Sequence, residues 1–288
     1  APMSALGFKH TLICSIFLAS LAVPAIAAAP KEAKQTLNDP DKEEWIELFN
    51  GKDLSNWTVK ISGFELNDNA FNTFRVEDGI MKIRYDQYKD FNNHFGHIFY
   101  NGGAFSHYRI KVEYRFVGDQ VKNGPGWAYR NNGIMYHTQD PKTMGLKQDF
   151  PASMEYQLLG GDGVNPRPTG NLCTPGTHVV YKGKFTEDHI INSSSDTFHG
   201  DQWVTAELLV HGSEKAEHFI NGKKVLEYTG LQWDDRTPNT GGYIALQAES
   251  HPTDFRRVSL LNLEGCMDKT AKNFKRYFVK NKQDACVY

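Results

Sequence analysis

From His107 to Phe116 the chain alternates without a break. Tyr108, Ile110, Val112, Tyr114 and Phe116 are apolar, while His107, Arg109, Lys111, Glu113 and Arg115 are polar. A strand sends successive side chains to opposite faces, so this run specifies an antiparallel strand with one core face and one wet face. Wound into a helix, the same apolar groups would be spread around the whole circumference and form no buried stripe. Further candidate strands are Gly79–Tyr85, Asn132–His137, Ser153–Leu159, Trp203–Val210, Ala216–Ile220, Lys223–Tyr228, Gly242–Glu249 and Asp254–Leu263, set between clusters of Gly, Asn, Asp and Pro. Asn221-Gly222, between two of them, predicts a type I′ hairpin. No stretch holds a helical period from Trp45 to Leu263. The region reads as one all-β, antiparallel β-sandwich rather than two domains.

The two ends read differently. Lys9 and His10 precede the apolar run Thr11–Val23, then Pro24 and Ala25-Ile26-Ala27. That order is the pattern of a secretory signal peptide, residues 1–27. The apolar run is too short for a membrane span, which needs ~20 residues. Residues 28–42 are polar and unpatterned, as in a linker, and lead into the β region at 43–264. Residues 265–288 are lysine-rich and bracketed by Cys266 and Cys286, which an exported chain can oxidise. We therefore expect a periplasmic or secreted bacterial protein with a short disulfide-closed C-terminal module and a solvated lysine face.

A net charge of −2 excludes a strongly basic nucleic-acid binder. The chain has no phosphate loop, no dinucleotide fingerprint and no GxSxG elbow, and its histidines lack metal-ligand spacing. Chemistry is concentrated elsewhere. Trp127, Tyr129, Arg130, Asn131, Asn132, Gly133 and His137 crowd one short stretch. In Met154–Leu159 the alternation leaves Glu155 and Gln157 outside, and Gly242–Glu249 repeats the design with Gln247 and Glu249. One outward Glu/Gln pair is ordinarily a solvated face. Two such pairs flanked by aromatics can also line a carbohydrate cleft.

With these residues in view, the chain resembles the 3-keto-disaccharide hydrolase family, built on the concanavalin A-like lectin/glucanase jelly roll. The matching motifs are Leu48-Phe49-Asn50-Gly51-Lys52-Asp53-Leu54-Ser55-Asn56-Trp57, Phe74-Arg75-Val76-Glu77-Asp78-Gly79, the Arg-Asn-Asn-Gly-Ile segment from Arg130, Glu155-Tyr156-Gln157, Asn221-Gly222, Gly242–Gln247 and Phe255-Arg256-Arg257-Val258, in the family's order. Asn131-Asn132-Gly133 stands where the family often has Asn-Ser-Gly. The tail resembles a small disulfide module found at the ends of secreted bacterial proteins.

The resemblance implies cleavage of 3-keto-glycosides or 3-keto-disaccharides by C2 deprotonation, elimination and hydration. It points to Glu155 or His137 as acid/base and to Arg130 as stabiliser of the enolate. Asn132, Gln157, Gln247 and Glu249 would bind hydroxyls, and Trp127 and Tyr129 would stack on the ring. Hydrogen-bond donors or a divalent metal would hold the enolate, with any metal ligands unknown. Two other readings stay open. One is a hydrolase of unoxidised glucan using Glu155 and Glu249, although Glu155-Tyr156-Gln157 lacks the further carboxylates of neighbouring glucanases. The other is a non-catalytic sugar-binding domain.

Overall fold

The alternating runs become strands of two packed sheets in the computed structural model, which describes residues 27–29 and 37–288. The expected signal peptide, Ala27 aside, lies outside the described residues. Helical structure among them is confined to short 3-10 turns. His107–Phe116 lies within a ten-stranded sheet, flanked by Val204–His211 and Thr253–Asn262. The second sheet has seven strands. In chain order they are β1 (Trp57–Ile61), β2 (Gly96–Tyr100), β3 (Asn131–Thr138), β4 (Met154–Leu159), β5 (Asn171–Cys173), β6 (Ile190–Ile191) and β7 (Tyr243–Ala248). They lie side by side as β6-β5-β4-β3-β7-β2-β1, every neighbour antiparallel.

The core sits between the sheets. Tyr108, Ile110, Val112 and Tyr114 from one sheet meet Ile134, Tyr136, Tyr156, Leu158, Ile244 and Leu246 from the other. Each large buried side chain contributes roughly 1.5–3 kcal/mol by leaving water. Buried tyrosine hydroxyls need partners, and they have them. Tyr156 donates to the Phe219 carbonyl at 2.7 Å, Tyr114 meets Thr169 Oγ1 at 2.9 Å, and Tyr136 pairs with Tyr228. Asn221 and Gly222 have φ of 47° and 83°, the two positive values that the expected I′ hairpin requires.

One deviation from strict alternation moves a residue singled out by sequence. Met135 pairs with Ala245, but the next pair is Thr138 with Tyr243, so Tyr136 and His137 together oppose Ile244. This is a β-bulge, with His137 at φ 48°. The extra residue carries His137 to the inner side, away from Asn131, Gly133 and Met135, whose face strict alternation would give it.

Cys266 and Cys286 are joined, as expected. The lysine-rich tail is less solvated than its composition implied. Buried Lys275 pairs with Glu44 at 2.9 Å and donates to the Asp39 carbonyl at 2.8 Å, and Arg276 pairs with Asp41 at 2.7 Å. The tail thus clasps the acidic residues that precede the first strand.

Candidate functional site

An antiparallel sheet with one face on the core usually leaves the other face wet. On the seven-stranded sheet that outer face is covered. Residues 139–152 cross it: the Leu146 carbonyl accepts from Lys60 Nζ at 3.0 Å, and Phe150 stands edge-on to His97 at 6.0 Å. Met144 packs on the outward cluster of Phe99, Met135 and Ala245. Beneath this cover His97 and Gln247 are fully buried, and Glu155 and Glu249 are only 8% and 3% exposed. The solvated-face reading does not hold.

Register sets the polar groups side by side. Lys60 pairs with His97, His97 with Gln247, and Glu155 with Cys173. Gln247 Nε2 meets His97 Nε2 at 3.2 Å. Gly133 lies between β4 and β7 in this outer layer, and a Cβ there would come within 2.6 Å of Glu155 Oε1. The carboxyl therefore occupies the space of the side chain that Gly133 lacks. Asn132 holds Gln247 from below. Its side-chain amide donates to the Gln247 carbonyl at 2.6 Å and accepts from the Gln247 N–H at 3.1 Å, standing in for a rung of the ladder.

Burial without a cation partner fixes the chemistry of the two carboxyls. Desolvation pushes Glu155 up to about 7, with the Cys173 thiol and Gln247 amide drawing it partly back. Glu249 is raised well above the carboxylate range by burial and then by the Glu155 charge, against a weaker pull from Arg167. Two close carboxyls in low dielectric do not both ionise readily, so near neutrality Glu249 holds a proton while Glu155 is poised to take one. Cys173 is free and half-buried; burial first, then Glu155, raise its thiol far above its ordinary value and keep it neutral. Ser250, directly after Glu249, has φ 100°. This strained turn is held by Tyr85, whose hydroxyl accepts from the Ser250 N–H at 3.0 Å, and by Gln120, which donates to Ser250 Oγ at 2.8 Å.

Above the carboxyls lies a cavity of about 440 Å³, lined among others by Trp127, Asn131, Glu155, Gln157, Cys173 and Glu249. Trp127 is 55% exposed and stacks on Phe95 at 5.9 Å, so its outer surface is free for a ligand. Arg167 clamps its loop by donating to the carbonyls of Tyr129 at 2.6 Å, Gly160 at 2.9 Å and Trp127 at 3.2 Å. The buried Asn131 Oδ1 and Gln247 Oε1 have no partner among the described residues. An aromatic wall with a few unsatisfied polar groups is the make-up of a small-molecule site. A larger groove, about 580 Å³, lies at the other sheet between Tyr181, Ser194 and Lys224. Its acids Glu217 and Glu227 face Lys215 and Lys224, so it carries no comparable reactive group.

Of the residues selected by sequence, Glu155, Gln157, Glu249 and Trp127 line the cavity and Gln247 lies beside Glu155. Four others are placed elsewhere. His137 faces inward, its Nε2 on the Gly212 carbonyl at 2.9 Å, and burial lowers it to about 4. Arg130, at φ 41°, pairs with Asp201 at 2.6 Å and donates to the Gly200 carbonyl at 3.0 Å. Asn132 is turned inward, and its neighbour Asn131 takes the place expected of it. Tyr129 stands edge-on to His251 at 5.1 Å and lends only its carbonyl to Arg167. Sequence reasoning missed Asn131, Cys173, His97 and Arg167. The run Asn165-Pro166-Arg167-Pro168 was a usable signal, because flanking prolines stiffen the arginine's loop. Among the described residues no group of three His, Cys, Asp or Glu side chains is arranged to hold a metal ion.

Residues 44–261 match the family model of the 3-keto-alpha-glucoside-1,2-lyase-like domain. No curated protein matches the chain significantly. Among solved structures it is similar to a candidate glycosyl hydrolase from Parabacteroides distasonis, with 20% identity over 76% of this chain and 93% of that one and a TM-score of 0.47. The carbohydrate-binding module CBM66 from Bacillus subtilis is similar at 8% identity over 63% of this chain and 86% of that one, with a TM-score of 0.40. The exoplasmic/lumenal domain of VIP36, in its metal-free form, is similar at 14% identity over 75% and 90%, with a TM-score of 0.47.

Proposed function

The chain belongs to the 3-keto-alpha-glucoside-1,2-lyase-like family, and we propose that it is an exported enzyme that breaks the glycosidic bond of 3-keto-glycosides by elimination across C1 and C2. The observation that carries this reading is a pair of buried carboxyls, Glu155 and Glu249, unpaired by any cation among the described residues and set in one aromatic-walled cavity. A module that only binds sugar has no need to hold two acids in so unfavourable a state.

A ketone at C3 acidifies the proton on C2. Glu155, ionised above about 7, accepts that proton, and the C–H electrons pass onto the C3 oxygen as an enolate. Collapse of the enolate forms the C1–C2 double bond and expels the C1 oxygen, which takes the proton held by Glu249. Water then adds at C1 and C2 regains a proton, so the net change is hydrolysis. Gln157, whose Oε1 accepts from Asn171 at 3.1 Å, keeps its N–H to offer the enolate oxygen, while Asn131, whose N–H donates to the Trp127 carbonyl at 3.0 Å, offers its Oδ1 to a ring hydroxyl. Trp127 offers its free face to the ring. The Cys266–Cys286 disulfide, and the absence among the described residues of a helix able to cross a membrane, fit a periplasmic or extracellular location.

The same carboxyl pair would also meet the two-acid requirement for hydrolysis of an unoxidised glucan. Incubation in D₂O with a 3-keto-disaccharide, and separately with the native disaccharide, decides between them. The expected result is cleavage of the keto-sugar alone, with deuterium appearing at C2. Cleavage of the native sugar at a comparable rate favours the glucan reading, and binding without cleavage of either favours a lectin.

A further inference from the structure

A single row of paired residues crosses the outer face of the seven-stranded sheet. Lys60 of β1 pairs with His97 of β2, and His97 with Gln247 of β7. Ile134 opposite Leu246 sets Gly133 of β3 next in line. Gly133 in turn pairs with Gln157 of β4, and Gln157 with Asn171 of β5. Every member but Gly133 carries a polar side chain, and Lys60, His97, Gln247 and Asn171 are buried. Gly133 leaves a gap in the row. Glu155, two residues before Gln157 on the same face, leans into that gap. A Cβ on Gly133 would meet its Oε1, Cγ and Cδ at 2.6, 2.8 and 2.9 Å. The carboxyl thus enters a row to which register alone does not assign it, between Gln157 and Gln247.

The Gln247 amide has a neighbour for each of its two N–H groups. One N–H points at His97 Nε2, 3.2 Å away, and the other serves the Glu155 carboxyl. An amide nitrogen only donates, so His97 Nε2 is the acceptor and the imidazole proton is on Nδ1. This settles which way the amide faces. Turned over, it would set Oε1 against the Glu155 carboxylate, oxygen on oxygen, and leave His97 Nε2 without a donor. The ring is held in place, fully buried, with Phe150 edge-on at 6.0 Å and Phe99 at 6.4 Å. His97 brings no charge to the carboxyl. Burial, and then Lys60, lower it to about 3, so it is neutral where Glu155 ionises. Neither His97 nor Gln247 is among the residues lining the cavity, so both act on Glu155 from behind.

We propose that His97 is a positioning residue for the reaction, holding the Gln247 amide so that its free N–H faces the Glu155 carboxyl. This rests on the reading of Glu155 as the base, but its test needs no turnover. In ¹³C-glutamate and ¹⁵N-histidine NMR of the resting protein, the His97 Nε2 signal should move with the Glu155 midpoint although the ring stays neutral. Ionising the carboxyl polarises the amide and strengthens both of its hydrogen bonds. A His97 signal that is flat through that midpoint overturns the proposal. His97→Leu removes the acceptor and is expected to raise the Glu155 midpoint by about one pH unit, the scale of one hydrogen bond to a charged group. His97→Gln sets an acceptor oxygen near the place of Nε2 and should return the midpoint to that of the wild type. In a Gln247→Leu background, His97→Leu should shift nothing further. The other titratable groups facing the two carboxyls are Cys173, Arg167 and, beyond His97, Lys60, and these substitutions leave all of them in place. An unmoved midpoint in folded His97→Leu, or an equal shift in the absence of Gln247, indicates packing alone and overturns the proposal. On a 3-keto-glucoside, His97→Leu should lower kcat about tenfold, as for a slightly misplaced reacting group, with KM nearly unchanged. A loss confined to KM overturns it. Absence of keto-glycoside cleavage in the wild type would sink the reading of Glu155 as base alone, whereas the two titrations judge His97 either way.

Discussion

On the outer face of the ten-stranded sheet Asp254 is 1% exposed, buried as deeply as Glu155 and Glu249 are on the other sheet. It is met there by two guanidiniums, Arg84 at 2.6 Å and Arg115 at 2.8 Å. The pairing extends outward. Arg256 reaches Glu113 at 2.5 Å, and Trp203 lies between Arg115 and Arg256, with ring distances of 4.5 and 4.3 Å. Among the described residues Glu155 and Glu249 have no such partner, only amides, a thiol and an arginine acting at a distance. Both faces come from the same alternating pattern. A buried acid given cations ties strands together, while a buried acid denied them holds its proton and becomes a reagent.

The contrast is broken most forcefully by removing one acid from each face. Glu155→Gln should lower turnover ~10²–10⁴-fold, the usual contribution of a general acid or base, while the protein stays folded. Asp254→Ala should do the reverse. It leaves Arg84 and Arg115 uncompensated, with a stability loss of roughly 3–5 kcal/mol in denaturant melts and no change in the pH profile of whatever activity survives. Comparable effects of the two substitutions on both readouts would erase the distinction.

Gly133→Ala sharpens it further. The new Cβ would come within 2.6 Å of Glu155 Oε1, inside van der Waals contact, and push the carboxyl aside. A displacement of about 1 Å at a reacting group can cost ~10²-fold, so kcat should fall toward that scale. KM should change less, since Trp127 and Gln157 are untouched.

A smaller effect is expected in the pH dependence of stability. The Glu155 pKa is raised in the fold from 4.5 to about 7, so the native state binds the proton more tightly than the unfolded chain. Its contribution is present in full below 4.5 and is lost as pH rises through about 7. The whole change is on the order of 3 kcal/mol. Buried histidines such as His97 and His137, lowered to about 3 and about 4, push wild-type stability the other way over this range. The Glu155 contribution is therefore read as the difference between wild type and Glu155→Gln. That difference should move in favour of the variant as pH rises and leave it the higher Tm at about pH 8. A difference between the two proteins that moves the other way with pH would contradict the assignment.

These residues also mark how far the sequence could be read. Strict alternation in His107–Phe116, Met154–Leu159 and Tyr243–Ala248 placed the core residues and set Glu155, Gln157, Gln247 and Glu249 on the outer face. His137 escaped that reasoning because one extra residue in β3, decided by its pairing with β7, reverses the side of everything after it. The exchange of Asn132 for Asn131 was legible, because Asn132 alternates in step with the core residues Ile134 and Tyr136 and Asn131 does not. Arg130 looked available as a free cation, yet Asp201, far along the chain, engages it. The covering of the outer face was hidden for a similar reason. Residues 139–152 form a loop without periodicity, and what they bury depends on contacts such as Lys60 with Leu146.

Direct titration of the Glu155 side chain tests the central claim. With ¹³C-labelled glutamate in the resting protein, and Glu155→Gln to assign the signal, carboxyl NMR should give a midpoint near 7, as expected for a buried acid without a cation. A midpoint at the ordinary 4.5 would show a solvated or paired carboxylate and remove the base from the proposed reaction.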